Sequence, residues 1–564
     1  MAPPPSSYRP RKKRKFPSSF TGSNNSLIVE TDGKASPAFP LVSFLWSARA
    51  GVSQWLVLPL ILMAVGLFRW AVSLWGYSGF QVPPMHGDFE AQRHWMEITI
   101  HLPVAKWYLY DLQYWGLDYP PLTAYHSWLL GKLGSLFDPA WFALDESRGF
   151  EDPLLKVFMR GTVIASEYLI FIPAVVNFLR RYTRTQNVPV WSASIALVAI
   201  LLQPATILID HGHFQYNTVM LGLVVASLDA ILAGRMLWAC IFFVGALGFK
   251  QMALYYAPIM FAFLLGVCIF PKIHIIRLLC ISLVTAVAFV VLFLPLILGQ
   301  SVLYAVAFQL AQTIHRVFPF ARGLFEDKVA NAWCAIHTFY KLHRFEASLL
   351  QRMSLGATLA SILAPCAIIF RHPRASLLLP ALSSVAWGFF LFSFQVHEKS
   401  VLLPLLPMTL LLAGDGGLSK ETRAWVGWAN ILGSWTMFPL LARDELRVPY
   451  FVMTLLWAFL LGLPPTSLEI FRGRASLEDN TLGAELHVLT KLLHACFYLA
   501  MIAWHVLEAF VAPPPGKPDL WVVLNALIGA GGFGIAYLWC AWKLIQQCRR
   551  IDQKAADETD KKNQ

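Results

Sequence analysis

Charged side chains are scarce in this sequence. Asp, Glu, Lys and Arg supply only 14% of its 564 residues, whereas hydrophobic residues supply 57%. A soluble protein has about 25% charged residues, so the composition excludes a water-soluble globular protein. The apolar residues come in runs of about 17–25, the length at which a helix crosses a bilayer. We therefore predict an all-α, polytopic transmembrane protein.

Cysteine offers no sign of metal or disulfide chemistry. The eight cysteines form no CxxC pair, and most of them lie inside apolar runs. Cysteines in such positions usually behave as small buried apolar side chains. We expect neither a metal site nor a disulfide framework.

The net charge of +12 does not predict nucleic-acid binding. The basic residues lie in the tails and in short connections between apolar runs, with the densest group at Arg9–Lys15. The positive-inside rule produces this distribution in membrane proteins, so we expect no nucleic-acid partner.

About fourteen apolar segments are predicted to span the membrane, with both chain ends on the cytosolic side. They lie near 52–75, 157–179, 189–206, 217–233, 236–249, 251–270, 275–298, 349–370, 375–394, 400–414, 425–441, 449–465, 487–509 and 520–545. The connections on the cytosolic side then all carry Lys or Arg. The opposite side receives the segments near 76–156, 207–216, 250, 299–348, 395–399, 442–447 and 512–519.

The chain divides into three predicted parts. Residues 1–45 are basic and rich in Pro and Ser, which predicts a disordered cytosolic tail. Residues 46–546 form the membrane domain, and residues 547–564 form a polar cytosolic tail. Residues 119–137 are apolar enough to cross, but crossing would reverse the charge pattern, so we predict a helix lying at the outer face. The first long loop is also rich in aromatic residues, which favours amphipathic helices in the interface.

The most informative stretch follows the first predicted span. Between His86 and His94 five ionisable groups fall within nine positions, which lipid does not tolerate, so they lie in water at a membrane surface. Glu90, Arg93, His94 and Glu97 share one face of a helix predicted to start after Asp88. Asp88 either caps that helix by accepting a backbone N–H or acts as a general base on a polar substrate.

Two other motifs on the same side carry acids and histidines. Asp118 precedes Pro120-Pro121 and is either a turn residue or a second carboxylate that binds sugar hydroxyls. His211 and His213 have an i, i+2 spacing that is poor for a helical metal site. Hydrogen bonding from His213 and Gln215 to a polar ligand is favoured over a metal, and a structural network is the other alternative.

Cations occur at three more places on this side. Lys250 lies between two apolar runs, so it must be paired, face a water-filled cavity or snorkel to the nearer surface. The phosphate of a lipid carrier is a suitable partner. Arg322 and the connection Gln395–Ser400, which holds His397 and Lys399, are either solvated turns or parts of the same site. The shared face predicts binding of an anionic, sugar-bearing lipid.

Six stretches resemble the eukaryotic endoplasmic-reticulum glucosyltransferases of asparagine-linked glycan assembly. The resemblance covers roughly residues 50–545, and it is strongest to the members that add the first glucose to lipid-linked Man9GlcNAc2. The stretches are GDFEAQRHWMEIT (87–99), LQYWGLDYPPLTAYHS (112–127), HGHFQYN (211–217), FKQMALY (249–255), RGLFEDKVANAWC (322–334) and FSFQVHEKS (392–400).

The resemblance implies a GT-C fold and a defined reaction. The donor would be dolichyl-phosphate glucose, the acceptor dolichyl-diphosphate Man9GlcNAc2, and the product an α-1,3 linkage formed with inversion in the lumen. It implies no metal and no other cofactor, and an enzyme of the endoplasmic-reticulum membrane. The C-terminal Lys561-Lys562 resembles a dilysine retrieval signal, which fits that location.

The resemblance also implies roles for individual residues. Asp88 becomes the general base, and Lys250, Arg322 and His397 become candidates to meet the charge on the donor phosphate. The other predicted substrate-binding residues lie in the same motifs; they are Glu90, Arg93, Asp118, His213, Gln215, Gln251 and Lys399.

Three alternatives stay open. The related enzyme that adds the second glucose shares the architecture and several motifs. A flippase or secondary transporter would show an internal inverted repeat and ionisable residues within spans of both halves, and the sequence displays neither. A membrane scaffold without activity would have no need of Asp88, Lys250 and His397 together.

Overall fold

A computed structural model describes residues 27–31, 34–50, 54–298, 303–318, 328–472 and 486–563. Within these ranges the regular secondary structure is helical except for one antiparallel hairpin, in which Ile28–Thr31 pairs with Lys34–Pro37. The predicted all-α membrane architecture is confirmed.

Long apolar helices form the membrane body. In the described part of the chain seven are long and apolar enough to cross a bilayer, and all of them overlap predicted spans. These are Leu56–Ser73, Pro153–Thr185, Ile275–Ile297, Ala347–Arg371, Ala375–Phe392, Val488–Phe510 and Leu520–Gln553. The last belongs to a helix that continues to Asn563. Val190–Leu201 and Pro204–Phe214, bent by 43°, would form an eighth span together.

The remaining predicted spans are shorter helices. Four of them are apolar: Asn217–Leu232, Met236–Phe249, Ala257–Ile269 and Arg447–Leu460. The segments near 400–414 and 425–441 contain Leu402–Leu410 and Lys420–Thr436, which do not meet the length and hydropathy expected of a span. Both are almost wholly buried among other helices, and a buried core helix has the same apolar pattern as a span. Among the described residues, length and composition alone identify seven or eight spans, and shorter helices occupy the other predicted segments.

Short helices occupy the connections. The two that matter for the site are Asp88–His101 and Pro121–Gly134, which pack against each other. At 14 residues Pro121–Gly134 is about 21 Å long, too short to cross, so it agrees with the prediction for residues 119–137. The other α-helices outside the spans are Pro40–Phe44, Leu303–Val317, Ala332–Phe339 and Phe438–Arg443.

The packed body begins earlier than the sequence predicts. Leu27, Leu41 and Val42 are buried, although they fall within the region expected to be a disordered tail. The guanidinium of Arg423 lies 3.9 Å from the centre of the Phe39 ring. Apolar side chains on both sides of the hairpin therefore anchor this segment to the helical bundle.

Connections predicted to share one membrane face do meet at one end of the bundle. Arg316, from the second long loop, donates to the carbonyl oxygen of Gly116 in the first loop at 3.0 Å. Lys328 forms an ion pair with Asp519, which joins the second loop to the last connection. At the opposite end Arg181 pairs with Asp229 at 2.8 Å.

Candidate functional site

Asp88 opens the helix Asp88–His101 without capping it. The N-cap residue is Gly87, and no side chain accepts a hydrogen bond there. The backbone N–H of Asp88 donates instead to Ser78 Oγ at 3.2 Å. The capping alternative is therefore wrong, and the carboxylate is free to make contacts outside its own helix.

Three donors converge on one oxygen of Asp88. Oδ2 accepts from His213 Nε2 at 2.8 Å, from Gln215 Nε2 at 2.5 Å and from the ammonium group of Lys399. We call Asp88, His213, Gln215 and Lys399 the Asp88 cluster. The Asp88 side chain keeps 21% exposure, and no donor from the described residues reaches Oδ1. The second oxygen can therefore receive a hydrogen bond from a ligand.

Sequence reasoning missed Asp444. Its Oδ2 lies 2.5 Å from His213 Nδ1, so the imidazole stands between two carboxylates, those of Asp444 and Asp88. A carboxylate at each ring nitrogen favours protonation of both nitrogens. The available signal was the acidic Asp444-Glu445 pair in a short connection assigned to the same face as Asp88.

His213 lies in a π-helix, Leu208–Phe214, which positions its side chain beside Asp88. The buried guanidinium of Arg160 donates to the carbonyl oxygens of Gly212 at 2.7 Å and Gly76 at 2.9 Å, which ties this segment to the first loop. Phe214 has φ +88°, a region that costs free energy for a residue with a side chain. The turn at Phe214 ends the π-helix and sends Gln215 towards Asp88 in an extended conformation.

Lys250 forms the next layer behind Gln215. It is buried, and its Nζ donates to Asn217 Oδ1 at 2.7 Å and Gln215 Oε1 at 3.3 Å. The ammonium also lies 4.8 Å from the centre of the Tyr119 ring. Lys250 therefore does not snorkel to a surface. Burial and the charge of Lys399 lower the pKa of Lys250 to about 8.

Opposite charges control the ionisation of the cluster. Burial alone would raise the pKa of Asp88, but Lys399 and His213 outweigh it and hold that pKa well below its ordinary value. Burial likewise opposes the charge on Lys399, yet the Asp88 carboxylate keeps the pKa of that ammonium raised. The cluster therefore holds an ionised Asp88 beside the ammonium group of Lys399.

Two other predicted site residues, Asp118 and Gln251, lie near Lys250 in space or in sequence. Asp118 is half-buried, and its charge acts on Lys250. Gln251 donates to the carbonyl oxygen of Val317 at 3.2 Å, so it fastens the second long loop.

The His397 side chain takes part in a capping box with Ser400 at the start of the turn that holds Lys399. Arg322 lies outside the described residues.

Glu90 and Arg93 belong to a different group. Arg93 is fully buried; it bonds Glu90 at 2.7 Å, Glu97 at 2.8 Å and Ser147 Oγ at 2.6 Å. His94 adds to this group, 3.1 Å from Glu97. We call Glu90, Arg93, His94 and Glu97 the buried ion network. Substrate binding was predicted for Glu90 and Arg93. The chain around Trp141 and Ser147 covers their helix face, so the charges of this network satisfy one another.

The histidine motif does not gather metal ligands at one point. His211 turns away from His213 and lies 2.6 Å from Glu167, which a bidentate contact also joins to Arg69. Among the described residues one trio has ligand atoms close enough to share a cation, namely His372, Cys548 and Asp552. This trio lies at the ends of two long helices and not beside Asp88.

The fold and the site define a multi-pass membrane enzyme that carries an ionised acid and several cations at one end of its helical body. The profile of the ALG6, ALG8 glycosyltransferase family matches residues 65–542. The chain therefore belongs to this family of glycosyltransferases.

Similar curated proteins cover almost the whole chain. The relative from Saccharomyces cerevisiae, "Dolichyl pyrophosphate Man9GlcNAc2 alpha-1,3-glucosyltransferase", is 46% identical over 524 residues, which cover 90% of this chain and 95% of the relative. A "probable" enzyme of the same name from Schizosaccharomyces pombe is 44% identical over 510 residues, with the same coverage. The relative from Pongo abelii is 37% identical over 509 residues, covering 86% and 95%.

Proposed function

We propose that this protein transfers the first glucose from dolichyl-phosphate glucose to dolichyl-diphosphate Man9GlcNAc2, forming an α-1,3 linkage with inversion. The acceptor and the linkage follow from the names of relatives that match nearly full length. The observation that carries the chemistry is the geometry of Asp88, with one oxygen held by three donors and the other open to a ligand.

Asp88 serves as the general base in this proposal. The acceptor hydroxyl is a weak nucleophile, and a carboxylate that takes its proton makes it reactive. The hydroxyl oxygen forms a bond to the anomeric carbon of glucose while the bond from that carbon to the phosphate oxygen breaks. The proton passes to Asp88, and the electron pair leaves with dolichyl phosphate. One base and one displacement invert the anomeric centre.

Cations of the site meet the charge on the departing phosphate. The leaving group is already an anion, so it needs no general acid, but its developing charge is stabilised by fixed positive groups. Lys399 and the imidazole of His213 lie beside Asp88, and Lys250 contacts Gln215. This set makes a metal ion unnecessary in the proposed reaction.

Donor binding also strengthens the base in this scheme. Without a bound donor, Lys399 and His213 contact Asp88 and keep its pKa low. A carboxylate with a low pKa is a weak base. A donor phosphate that binds Lys399 and His213 would weaken their hydrogen bonds to Asp88 Oδ2. The pKa of Asp88 then rises towards its ordinary value when the donor is present.

The location is proposed to be the endoplasmic-reticulum membrane, with the Asp88 cluster on the lumenal side. Lys and Arg in the connections at the other end of the bundle support this orientation by the positive-inside rule. The second-glucose enzyme remains the second candidate because its activity differs only in the acceptor.

A transfer assay tests the reaction. Purified full-length protein should release dolichyl phosphate from dolichyl-phosphate glucose when given an acceptor that ends in mannose, and EDTA should leave the rate unchanged. Asp88→Asn should reduce transfer by at least about 10²–10⁴-fold, the usual contribution of a general base.

Glu146→Gln is the matched control, since Glu146 is an exposed acid of the same loop. It should retain normal transfer. Near-normal turnover by folded Asp88→Asn protein would remove Asp88 from the role of base. A preference for acceptors that already end in glucose would select the second-glucose activity instead.

A further inference from the structure

A cavity lies between three helices at a distance from the Asp88 cluster. It has a volume of about 510 Å³ and is lined by Gln54–Ser73, Ile172–Thr185, Val190–Leu201 and the turn before the last of these. Its walls are mostly aliphatic, with Leu58 and Leu197 on opposing helices. Pockets that enclose small ligands have volumes of about 300–1,000 Å³, so this one can hold part of a lipid chain.

Two arginines stand at one edge of this cavity. Arg180 and Arg184 line it, are exposed, and occupy i and i+4 positions near the C-terminal end of Ile172–Thr185. Arg181 beside them pairs with Asp229, whereas neither Arg180 nor Arg184 has a carboxylate partner among the described residues. Like charges at this spacing repel each other, so an anion bound between them would be stabilising.

The cavity lies at the membrane surface opposite the reaction site. Arg160, which holds the π-helix beside Asp88, precedes Arg180 by 20 residues on the same helical span, Pro153–Thr185. Twenty helical residues rise about 30 Å, the thickness of the hydrocarbon core. With the Asp88 cluster on the lumenal side, as proposed, the arginines face the cytosolic leaflet.

We propose that this cavity binds an anionic glycerophospholipid of the cytosolic leaflet. The phosphate lies between the guanidinium groups of Arg180 and Arg184, and one acyl chain lies along the aliphatic wall. A zwitterionic lipid would leave much of the paired positive charge uncompensated, and free phosphate would not use the wall. Basic pockets between helices on the cytoplasmic side are typical places for anionic headgroups.

Lipid retention by the purified protein tests the proposal. Full-length protein would be reconstituted with phosphatidylinositol and phosphatidylcholine, extracted, and analysed by native mass spectrometry for bound lipid. We expect retained phosphatidylinositol in the wild type. Arg180→Gln with Arg184→Gln should weaken binding about 25-fold, from about 5-fold for each arginine beside an anionic headgroup.

Two further variants distinguish the contribution of the arginine charges from that of the cavity volume. Ala193→Phe keeps both arginines but fills the cavity, so it should also lose the lipid. Arg371→Gln with Arg374→Gln removes the same charge from exposed positions outside the cavity and should retain the lipid. Size-exclusion profiles identify any variant that fails to fold.

The proposal is overturned by equal phosphatidylinositol retention in the wild type and the Arg180→Gln, Arg184→Gln variant. Equal retention of phosphatidylcholine by the wild type would also overturn it, since it would indicate a lipid site without charge selection. Retention of dolichyl phosphate in place of glycerophospholipid would assign the cavity to a polyprenyl carrier instead.

Discussion

Lys399 reaches Asp88 across 311 residues of sequence. The sequence predicts only that both residues lie on the same side of the membrane. Charge patterning assigns a connection to a side but does not give the distance between two side chains. Asp88, His213, Gln215 and Lys250 were predicted in the same way, and the structure brings them together. Asp444 was missed because an acidic pair in a short connection, the one signal there, is equally typical of a solvated turn.

The acid limb of the pH profile should depend on Lys399. The proposed reaction needs ionised Asp88, so activity should be lost as the pH falls through the pKa of that group, which Lys399 depresses. Lys399→Met should raise that pKa and move the acid limb of kcat/KM to higher pH, besides lowering the rate. Lys399→Arg keeps the charge and is the control. Superimposable limbs for the Met and Arg variants would contradict the coupling.

Asp444 is proposed as a positioning residue that holds the His213 ring. Asp444→Asn replaces a charged hydrogen bond, worth about 1.5–3 kcal/mol, and should therefore lower transfer about 10–150-fold. Because His213 would lose part of its positive charge, the acid limb of the pH profile should also shift upward. A rate loss with an unchanged pH profile would indicate a merely structural role for Asp444.

The helix Asp88–His101 illustrates what an element's sequence pattern can decide. The spacing of Glu90, Arg93 and Glu97 predicts a helix with one charged face, and the helix is confirmed. The pattern does not tell whether that face meets water, a ligand or another part of the chain. Here Trp141 and Ser147 cover it, and the sequence gives no sign of this because their loop has no regular period.

Arg93→Met should destabilise the fold and should not act through substrate affinity. Removing one partner of a buried ion pair leaves an uncompensated charge and costs about 3–5 kcal/mol. Thermal unfolding of the purified variant should show the loss. Arg148→Met is the control: its side chain is 43% exposed and pairs with Asp111, so the expected cost is about 0–1 kcal/mol. An unchanged unfolding midpoint with a raised KM would return Arg93 to the substrate site.

At the scale of the whole molecule, the two ends of the bundle differ in charge pattern and in the site they carry. Spans were predictable from apolar runs, and Leu402–Leu410 shows that a short buried helix has the same apolar pattern as a long span. The grouping of the connections into two sets was predictable because one reversed loop would place several basic connections with the wrong set.

Sidedness can be measured with introduced cysteines. In sealed microsomes a membrane-impermeant maleimide should label Asp415→Cys at once, because that connection is predicted to be cytosolic. Glu146→Cys, in an exposed position of the first loop, should react only after permeabilisation. The wild type reports the background from the eight native cysteines. Labelling of Glu146→Cys in intact microsomes would place the Asp88 cluster on the cytosolic face.

Ser78 touches both halves of the reaction centre. Its Oγ accepts from the backbone N–H of Asp88 at 3.2 Å, and its own N–H donates to the carbonyl oxygen of His213 at 3.0 Å. The gap between acid and imidazole is therefore bridged by one short residue. These two bonds restrict how far the backbones of Asp88 and His213 can separate, so Ser78 helps to keep the proposed proton acceptor aligned with the imidazole.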